Sequence, residues 1–204
     1  MLKLEQLSLS FPERTVLKDF SLELPDTGTV CLFGPSGCGK TTMLNCLAGI
    51  RKPDGGNITG LSGKKISYVF QESRLLPWST VQENIELVLP EGSKKTAREW
   101  LSAVGLLSYV GQYPKELSGG QRQRVAFARA LAYGGDVFLL DEPFHALDYA
   151  ASQEMAALLK QSFSNALHIL VTHNQEEAER LSDIIYFLEG PPLKVVNVQK
   201  RSLQ

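Results

Sequence analysis

Alternating apolar and polar positions near the amino terminus predict β-strands. Apolar side chains recur at nearly every second position from Leu2 to Phe11, which indicates a half-buried strand. A second strand is predicted at residues 20–24, and a turn follows at residues 25–28. Residues 29–33 form a short apolar run that is typical of a strand buried on both faces. The chain is therefore expected to begin with strands rather than helices.

Helical periodicity is concentrated in the middle of the chain. A glycine-rich loop after residue 33 precedes a helix predicted at residues 41–48, and a turn at residues 53–56 precedes a strand at residues 66–70. From about Glu72 to Tyr133 the strand patterns give way to helical ones, at residues 81–89, 96–104 and 120–132. This change indicates a helical insertion into a sheet domain.

Strand and helix patterns alternate again after the insertion. Apolar runs predict strands at residues 137–140, 168–172 and 184–188, and helices are predicted at residues 150–163 and 175–181. Such alternation is typical of an α/β domain with a largely parallel sheet. Residues 191–204 are weakly patterned and are expected to hold a final edge strand and a loose tail.

Composition narrows the classes of function. The chain has 204 residues, with 21 Lys and Arg against 22 Asp and Glu, so one domain, or one domain with a subdomain, is expected. The balanced charge argues against a nucleic-acid partner held by phosphate neutralisation. No apolar run approaches the roughly 20 residues that cross a bilayer, so a soluble, cytoplasmic protein is expected. Cys31, Cys38 and Cys46 contain no C-x-x-C pair, so a zinc site is not expected.

A phosphate-binding loop follows the third predicted strand. Residues 34–41, Gly-Pro-Ser-Gly-Cys-Gly-Lys-Thr, match the pattern G-x-x-x-x-G-K-[S/T] between a strand and a helix. Lys40 supplies charge to the β- and γ-phosphates, and the Thr41 hydroxyl is placed to ligate Mg²⁺. The sequence therefore predicts that a nucleoside triphosphate is bound by Gly34, Pro35, Ser36, Gly37, Cys38, Gly39, Lys40, Thr41 and Thr42.

Polar residues end two other predicted strands. Asp141 and Glu142 follow the apolar run 137–140, and the carboxyl ends of such strands face the ligand crevice of an α/β sheet. Asp141 suits the shell of a Mg²⁺ ion, and Glu142 suits the general base that activates an attacking water. His173 follows the strand at residues 168–172 and is a candidate contact of the γ-phosphate.

A further motif identifies a family. Residues 117–121, Leu-Ser-Gly-Gly-Gln, precede a predicted helix and by themselves are typical of a turn and a helix cap. Together with the phosphate loop and the acidic pair, in this order, they make nearly the whole chain resemble the ATP-binding cassette (ABC) ATPases. The resemblance implies an α/β P-loop NTPase fold with a mostly parallel core sheet, an N-terminal antiparallel β part and a helical subdomain. Within this single domain, it places the nucleotide-binding core at residues 1–71 and 134–204 and the helical subdomain at residues 72–133.

The resemblance also implies roles for individual residues and a set of ligands. Gln71 is similar to the Q-loop glutamine that contacts Mg²⁺, Asp148 to the D-loop aspartate and His173 to the switch histidine. Phe11 matches the aromatic residue that stacks on adenine. Residues Ser118, Gly119, Gly120 and Gln121 resemble the signature that covers the phosphates of the partner subunit's ATP. A head-to-tail homodimer that closes on ATP and Mg²⁺ is therefore implied. His145 departs from the family pattern, since many relatives carry Ser there.

Residues 71–78, Gln-Glu-Ser-Arg-Leu-Leu-Pro-Trp, resemble the Q-loop region of importers of the nitrate, sulfonate and taurine type, and also of vitamin-precursor importers. This implies that ATP hydrolysis powers the import of a small solute. An integral membrane permease would dock on Leu75, Leu76 and Trp78, and a separate solute-binding protein would deliver the solute. The chain would then lie peripherally on the inner face of the cell membrane. A non-transport ABC ATPase and a P-loop small-molecule kinase remain alternatives, as does simple packing of these three side chains within the helical insertion.

Overall fold

The computed structural model describes residues 1–89 and 94–201, which fall into two compact units. The unit that we call the sheet unit comprises Met1–Ile66, Asp136–Glu142 and Asn165–Gln204. The helical unit comprises Ser67–Gly135 and Pro143–Ser164. The last part of the predicted tail, residues 202–204, lies outside the described residues.

The elements follow the predicted order closely. The strands of the described residues are β1 (Leu2–Phe11), β2 (Arg14–Leu24), β3 (Gly28–Phe33), β4 (Gly55–Thr59), β5 (Ile66–Val69), β6 (Val137–Asp141), β7 (Leu167–Thr172), β8 (Ile184–Glu189) and β9 (Lys194–Lys200). The helices are α1 (Lys40–Leu47), α2 (Val81–Glu86), α3 (Lys94–Ala103), α4 (Gly119–Tyr133), α5 (Tyr149–Ser162) and α6 (Gln175–Leu181), with short 3-10 helices at Leu107–Tyr109 and Pro114–Glu116.

The sheet unit contains an antiparallel sheet in which β1 lies between β2 and β4. Leu4 faces Leu22 on one neighbouring strand and Ile58 on the other. The alternating leucines of β1 are all buried, because successive side chains of a strand point to opposite faces and one face covers the core. The amphipathic pattern of residues 2–11 therefore gives the strand that it predicts.

The same unit contains the larger sheet, in which β6, β7, β3, β8 and β9 are consecutive neighbours. The first four of these strands are parallel, and β9 pairs with β8 in the antiparallel sense. Every residue of β6 and β7 is buried, which explains why both strands, apart from Asp141, His168 and Thr172, are apolar without alternation. The expectation of a mostly parallel α/β sheet is confirmed.

Strand β4 was not among the predicted strands, since the sequence predicts a turn at residues 53–56. Gly55 and Gly56 instead begin β4, which pairs with β1. Gly56 has a φ of +85°, and a Cβ there would lie 2.4 Å from the backbone oxygen of Gln6. Strands β1 and β4 approach each other so closely at Gly56 that only glycine fits. The sequence did not predict β4 because a Gly-Gly-Asn segment has no strand pattern.

The helical unit is built around α4, which packs against α2, α3 and α5. Phe127 of α4 lies 6.0 Å from Phe144, and Trp100 of α3 stacks on Phe163 at 6.5 Å between ring centroids. These contacts lie within the helical unit, which includes residues 143–164. Helix α5 has the apolar face of an ordinary α/β helix, so its sequence does not show which neighbour it covers. Among the described residues, no helix is both long and apolar enough to cross a membrane.

Asn84 organises the loop that precedes α2. Its side chain is fully buried, and its Nδ2 lies within 3.1 Å of the backbone oxygens of Leu76, Ser79 and Thr80. Its Oδ1 accepts a hydrogen bond of 2.7 Å from the Leu76 N–H. One amide therefore satisfies backbone groups of a loop that has no regular partner strand.

Replacing Asn84 by Ala is expected to lower the free energy of unfolding by roughly 1–3 kcal/mol, because the partly buried Leu76 N–H loses its acceptor. Urea denaturation measures this, followed by the fluorescence of Trp78 and Trp100, which are both in the helical unit. Gln82→Ala on the same helix is the control, since Gln82 bonds Glu86 rather than the loop. Equal destabilisation by the two variants would contradict the role given to Asn84.

Candidate functional site

The predicted phosphate loop lies between β3 and α1, in close contact with the end of β8. A Cβ on Gly34 would lie 2.4 Å from the backbone oxygen of Leu188. Gly39 has a φ of +121°, and a Cβ there would lie 2.8 Å from Cγ1 of Val16. Both glycines are required, because the loop is too close to its neighbours to carry side chains at these positions. The loop therefore has a fixed shape in front of the N-terminus of α1.

Lys40 is held inside this loop. Its side chain is almost fully buried, and its Nζ donates to the backbone oxygens of Gly34 at 2.7 Å and Pro35 at 2.8 Å. Carbonyl dipoles solvate an ammonium group without cancelling its charge. The loop therefore presents a positive centre next to the positive end of α1, and this combination attracts an anion such as a phosphate.

Thr41 and Asp141 are brought together at the end of β6. The Thr41 hydroxyl donates a hydrogen bond of 3.1 Å to Oδ1 of Asp141, whose side chain is 2% exposed. Hydroxyl and carboxylate oxygens are ligands that Mg²⁺ prefers, and Mg²⁺ usually takes few protein ligands together with waters and substrate phosphates. The donor set therefore fits this ion.

Glu142 and His173 form a close pair beside that site. Nδ1 of His173 lies 2.7 Å from Oε1 of Glu142. The Glu142 backbone has a φ of +47°, an unusual conformation for a residue with a long side chain. Its N–H donates to the Val171 oxygen at 2.9 Å, so β7 fixes this conformation. Backbone strain of this kind, which costs about 1–3 kcal/mol, is concentrated at functional sites.

Phe11 lies at the end of β1 and is 38% exposed. The guanidinium carbon of Arg51 lies 4.1 Å from the centroid of its ring, and Arg14, its partner across the strand pair, donates to the Gly37 oxygen at 2.6 Å. Neither arginine was predicted from the sequence. The spacing of Phe11 and Arg14 is that of a tight hairpin, so the sequence could have indicated that these two residues pair. No local pattern indicates the contact between Arg51 and Phe11.

The signature residues cap α4 in the helical unit. The Ser118 hydroxyl accepts from the Gln121 N–H at 3.2 Å, and the Gln121 side chain accepts from the Ser118 N–H at 2.8 Å. This reciprocal pair is a capping box, as the turn-and-cap pattern of residues 117–121 indicates. A Cβ on Gly120 would lie 2.7 Å from the backbone oxygen of Ala146, so the second glycine allows a close approach of the chain.

A cavity of about 260 Å³ lies in the helical unit. It brings Gln71 together with Gly119 and with His145, the residue that departs from the family pattern. Asp148 caps α5 a short distance further along the chain, where its Oδ1 accepts from the Ala151 N–H at 2.8 Å. The structure thus groups the predicted site residues within each unit: the phosphate loop, Asp141, Glu142 and His173 in one, and Gln71 with the signature in the other.

The side chains predicted to bind a permease lie in the loop that Asn84 organises. Trp78 is 73% exposed, and Leu75 and Leu76 are half-buried. Arg129 of α4 donates to the backbone oxygens of Ser73 and Arg74, at 3.0 Å in each case. The loop is therefore tied to the helix that the signature caps.

Comparison with known proteins agrees with this geometry. A family model described as ABC transporter matches residues 17–145. The chain is 42% identical over 199 residues to the aliphatic sulfonates import ATP-binding protein SsuB of Zymomonas mobilis, covering 92% of this chain and 82% of that protein. It is 41% identical over 213 residues to the taurine import ATP-binding protein TauB of Pseudomonas aeruginosa, covering 94% of this chain and 80% of that protein.

Solved structures give the same result for the fold. A dimeric, post-hydrolysis form of the ATP-binding cassette MJ0796 bound to ADP and Pi matches with a TM-score of 0.89 and 31% identity, over 100% of both chains. A second dimeric structure of MJ0796, described as a bacterial ABC transporter cassette, matches with a TM-score of 0.87 and 31% identity, again over 100% of both chains. Since the family model spans more than half of the sequence, the chain belongs to the ABC transporter family.

Proposed function

We propose that this chain binds and hydrolyses ATP as the energy-supplying subunit of an importer. The observation that carries the proposal is the alignment of three features in the sheet unit: a phosphate loop with a buried Lys40, the Thr41–Asp141 pair, and the Glu142–His173 pair. Each follows a strand of the same parallel sheet. Family membership and the ATP-binding importer subunits among its relatives support the same conclusion.

The loop of residues 34–42 binds the triphosphate. Its backbone N–H groups and the N-terminus of α1 face the phosphate oxygens, and the Lys40 ammonium exchanges loop carbonyls for phosphate oxygens when ATP enters. This exchange restores a full ionic partner to a buried charge, which favours binding. Phe11 stacks on the adenine, as its partial exposure allows.

Glu142 accepts a proton from the water that attacks the γ-phosphorus, while the bond to the ADP leaving group breaks. A carboxylate only accepts hydrogen bonds, so Nδ1 of His173 carries the proton when Glu142 is ionised. His173 therefore holds the orientation of the base, and its partly exposed ring is placed to contact the γ-phosphate. Little covalent chemistry is required of the protein, because this reaction depends mainly on positioning and charge.

Thr41 and Asp141 would hold Mg²⁺, and the family resemblance adds Gln71. When bound, the ion neutralises charge on the β- and γ-phosphate oxygens. The Thr41–Asp141 hydrogen bond keeps the two protein oxygens together beside the phosphate loop.

The active form is a head-to-tail dimer in which the signature of one protomer covers the phosphates bound by the other. The capping box uses the N–H groups of Ser118 and Gln121, and the positive end of α4 remains a favourable place for an anion. Asp148, at the start of α5, lies in the D-loop of this interface. The dimeric MJ0796 structures support a dimer, since they match the whole chain.

The exposed Trp78, with Leu75 and Leu76, docks on an integral membrane permease. An exposed tryptophan beside two partly exposed leucines supplies an apolar anchor of the kind found at protein interfaces. The sulfonate and taurine importers among the relatives favour a small anion of that type as the solute, delivered by a solute-binding protein, over a vitamin precursor. The chain then lies on the cytoplasmic side of the membrane.

Replacing Glu142 by Gln is expected to lower turnover by about 10²-fold or more, because an amide does not accept the proton of the attacking water. ATP binding should persist, and a dimer should accumulate with ATP bound. Phosphate release and size-exclusion chromatography with ATP measure the two effects. Near-normal turnover in this variant would remove Glu142 from the mechanism.

Replacing Ser118 tests whether the signature acts across the dimer. Ser118→Asp keeps a good helix cap but places a negative charge against the phosphates, so hydrolysis should be lost without loss of folding. Ser118→Arg should also abolish hydrolysis, and both variants should bind ATP as monomers with unchanged affinity. Loss of ATP binding by the monomer would mean that Ser118 acts within its own chain.

Replacing Trp78 by Asp is expected to reduce the recovery of the permease with the tagged chain about 10-fold or more, since a central interface tryptophan is an energetic hot spot. Purification from detergent-solubilised membranes and identification of the attached integral protein measure this. Ile50→Asp is the control, because Ile50 is an exposed apolar residue of the sheet unit outside this loop. Equal recovery with both variants would place the permease contact elsewhere.

A further inference from the structure

Thr172, the last residue of β7, is completely buried, and its hydroxyl has two partners. It donates a hydrogen bond of 2.8 Å to Oε2 of Glu177 and accepts one of 3.0 Å from the Asn174 N–H. The residue between Thr172 and Asn174 is His173. The two residues that flank His173 are therefore linked through one buried hydroxyl, which Thr172 carries and to which the Asn174 N–H donates.

This arrangement is a capping box closed through an additional residue. Asn174 caps α6, and its Oδ1 accepts from the Glu177 N–H at 3.3 Å. In an ordinary capping box the third helical residue bonds back to the N–H of the cap residue directly. Here the Glu177 carboxylate bonds Thr172, and the Thr172 hydroxyl receives the N–H of the cap residue. The cap of α6 and the peptide that carries His173 are thus parts of one hydrogen-bonded ring.

The hydrogen-bonded ring of Thr172, Asn174 and Glu177 matters because burial does not fix the His173 side chain. Its imidazole is 60% exposed, yet its Nδ1 lies 2.7 Å from Oε1 of Glu142. The opposite Glu142 backbone is fixed by the hydrogen bond to Val171. The backbone position of His173 therefore decides whether its ring meets Glu142, and the Thr172 hydroxyl, which accepts from the Asn174 N–H, lies directly against that backbone.

Glu177 is in an environment that disfavours its charge. Burial raises the pKa of this carboxyl, and the nearby Glu142 raises the pKa further, while the Thr172 hydroxyl and Arg180 lower it. Glu176, also in the first turn of α6, is placed to interact favourably with the helix dipole from an exposed position. Stabilising the helix therefore does not require a carboxylate at the buried position.

We propose that Glu177 is a positioning residue for ATP hydrolysis, which acts through the Thr172 hydroxyl to place His173 against Glu142. The inference rests on the function proposed above for His173 and Glu142. It predicts that losing the Glu177 carboxylate affects the chemical step rather than nucleotide binding, because neither Glu177 nor Thr172 belongs to the phosphate loop.

The test is a cycle of variants at Glu177 and Thr172. Glu177→Ala should lower kcat about 10-fold, since small misplacements of a catalytic group cost up to about 10²-fold, and should leave the Kd for ATP within about twofold. Thr172→Val, which removes only the hydroxyl, should lower kcat by a similar factor, and the double variant should be no worse than either single variant. Glu177→Gln, which keeps an acceptor for the hydroxyl, should recover most of the activity.

A second measurement, independent of activity, monitors the environment of the His173 side chain. The imidazole NMR signal of His173, assigned by its loss in His173→Ala, should shift in Glu177→Ala and not in the control Glu176→Ala, which should also keep its kcat. Multiplying effects in the double variant, or an unmoved imidazole signal, would overturn the inference. Failure of the proposed function is distinguishable, because His173→Ala itself would then retain wild-type turnover.

Discussion

Parallel pairing of β3, β6 and β7 brings the ends of three strands to one edge of the sheet. Phe33 pairs with Thr172, and Asp141 pairs with Val171, so the phosphate loop, the acidic residues and His173 all begin at the same level. The hydrogen-bond register brings the strand ends together, and the Thr41–Asp141 and Glu142–His173 contacts are then made between neighbouring strand ends. A slip in the pairing of any of these strands would separate the site into unrelated residues.

Several residues of this site are in environments that cost folding free energy. Lys40 is a buried ammonium, Glu142 has a strained backbone, and Glu177 is a carboxylate in a partly buried position. Each is restrained by strong local hydrogen bonds: loop carbonyls for Lys40, the Val171 oxygen for Glu142 and the Thr172 hydroxyl for Glu177. Burial of the apolar side chains of β6 and β7 contributes hydrophobic stabilisation that opposes these local costs.

The sequence predicts those parts of the molecule that local chemistry determines. The leucine alternation of β1, the apolar runs of β6 and β7 and the glycine-rich loop each specify their structure within a few residues. The capping box at Ser118 follows from four consecutive residues in the same way.

Features that depend on a distant partner were not predictable. Strand β4 needs the backbone of Gln6 to explain its glycines, and α5 needs Trp100 and α4 to explain its unit. Arg51 meets Phe11 only because the chain after α1 returns to β1, where Asp54 accepts from the Ser10 N–H. The relation of Glu177 to His173 requires knowing that Thr172 is buried. Long-range contacts of this kind carry no periodicity, so a pattern-based interpretation does not find them.

The two hydrogen bonds of Arg129 have a structural consequence. They join consecutive carbonyls, Ser73 and Arg74, to the C-terminal half of α4, and Arg74 in turn covers the ring of Phe70. Trp78 follows Arg74 by four residues, so the exposed tryptophan belongs to a segment that is anchored on α4. One helix of 15 residues therefore holds both the anchor of the Trp78 segment and the Ser118 cap.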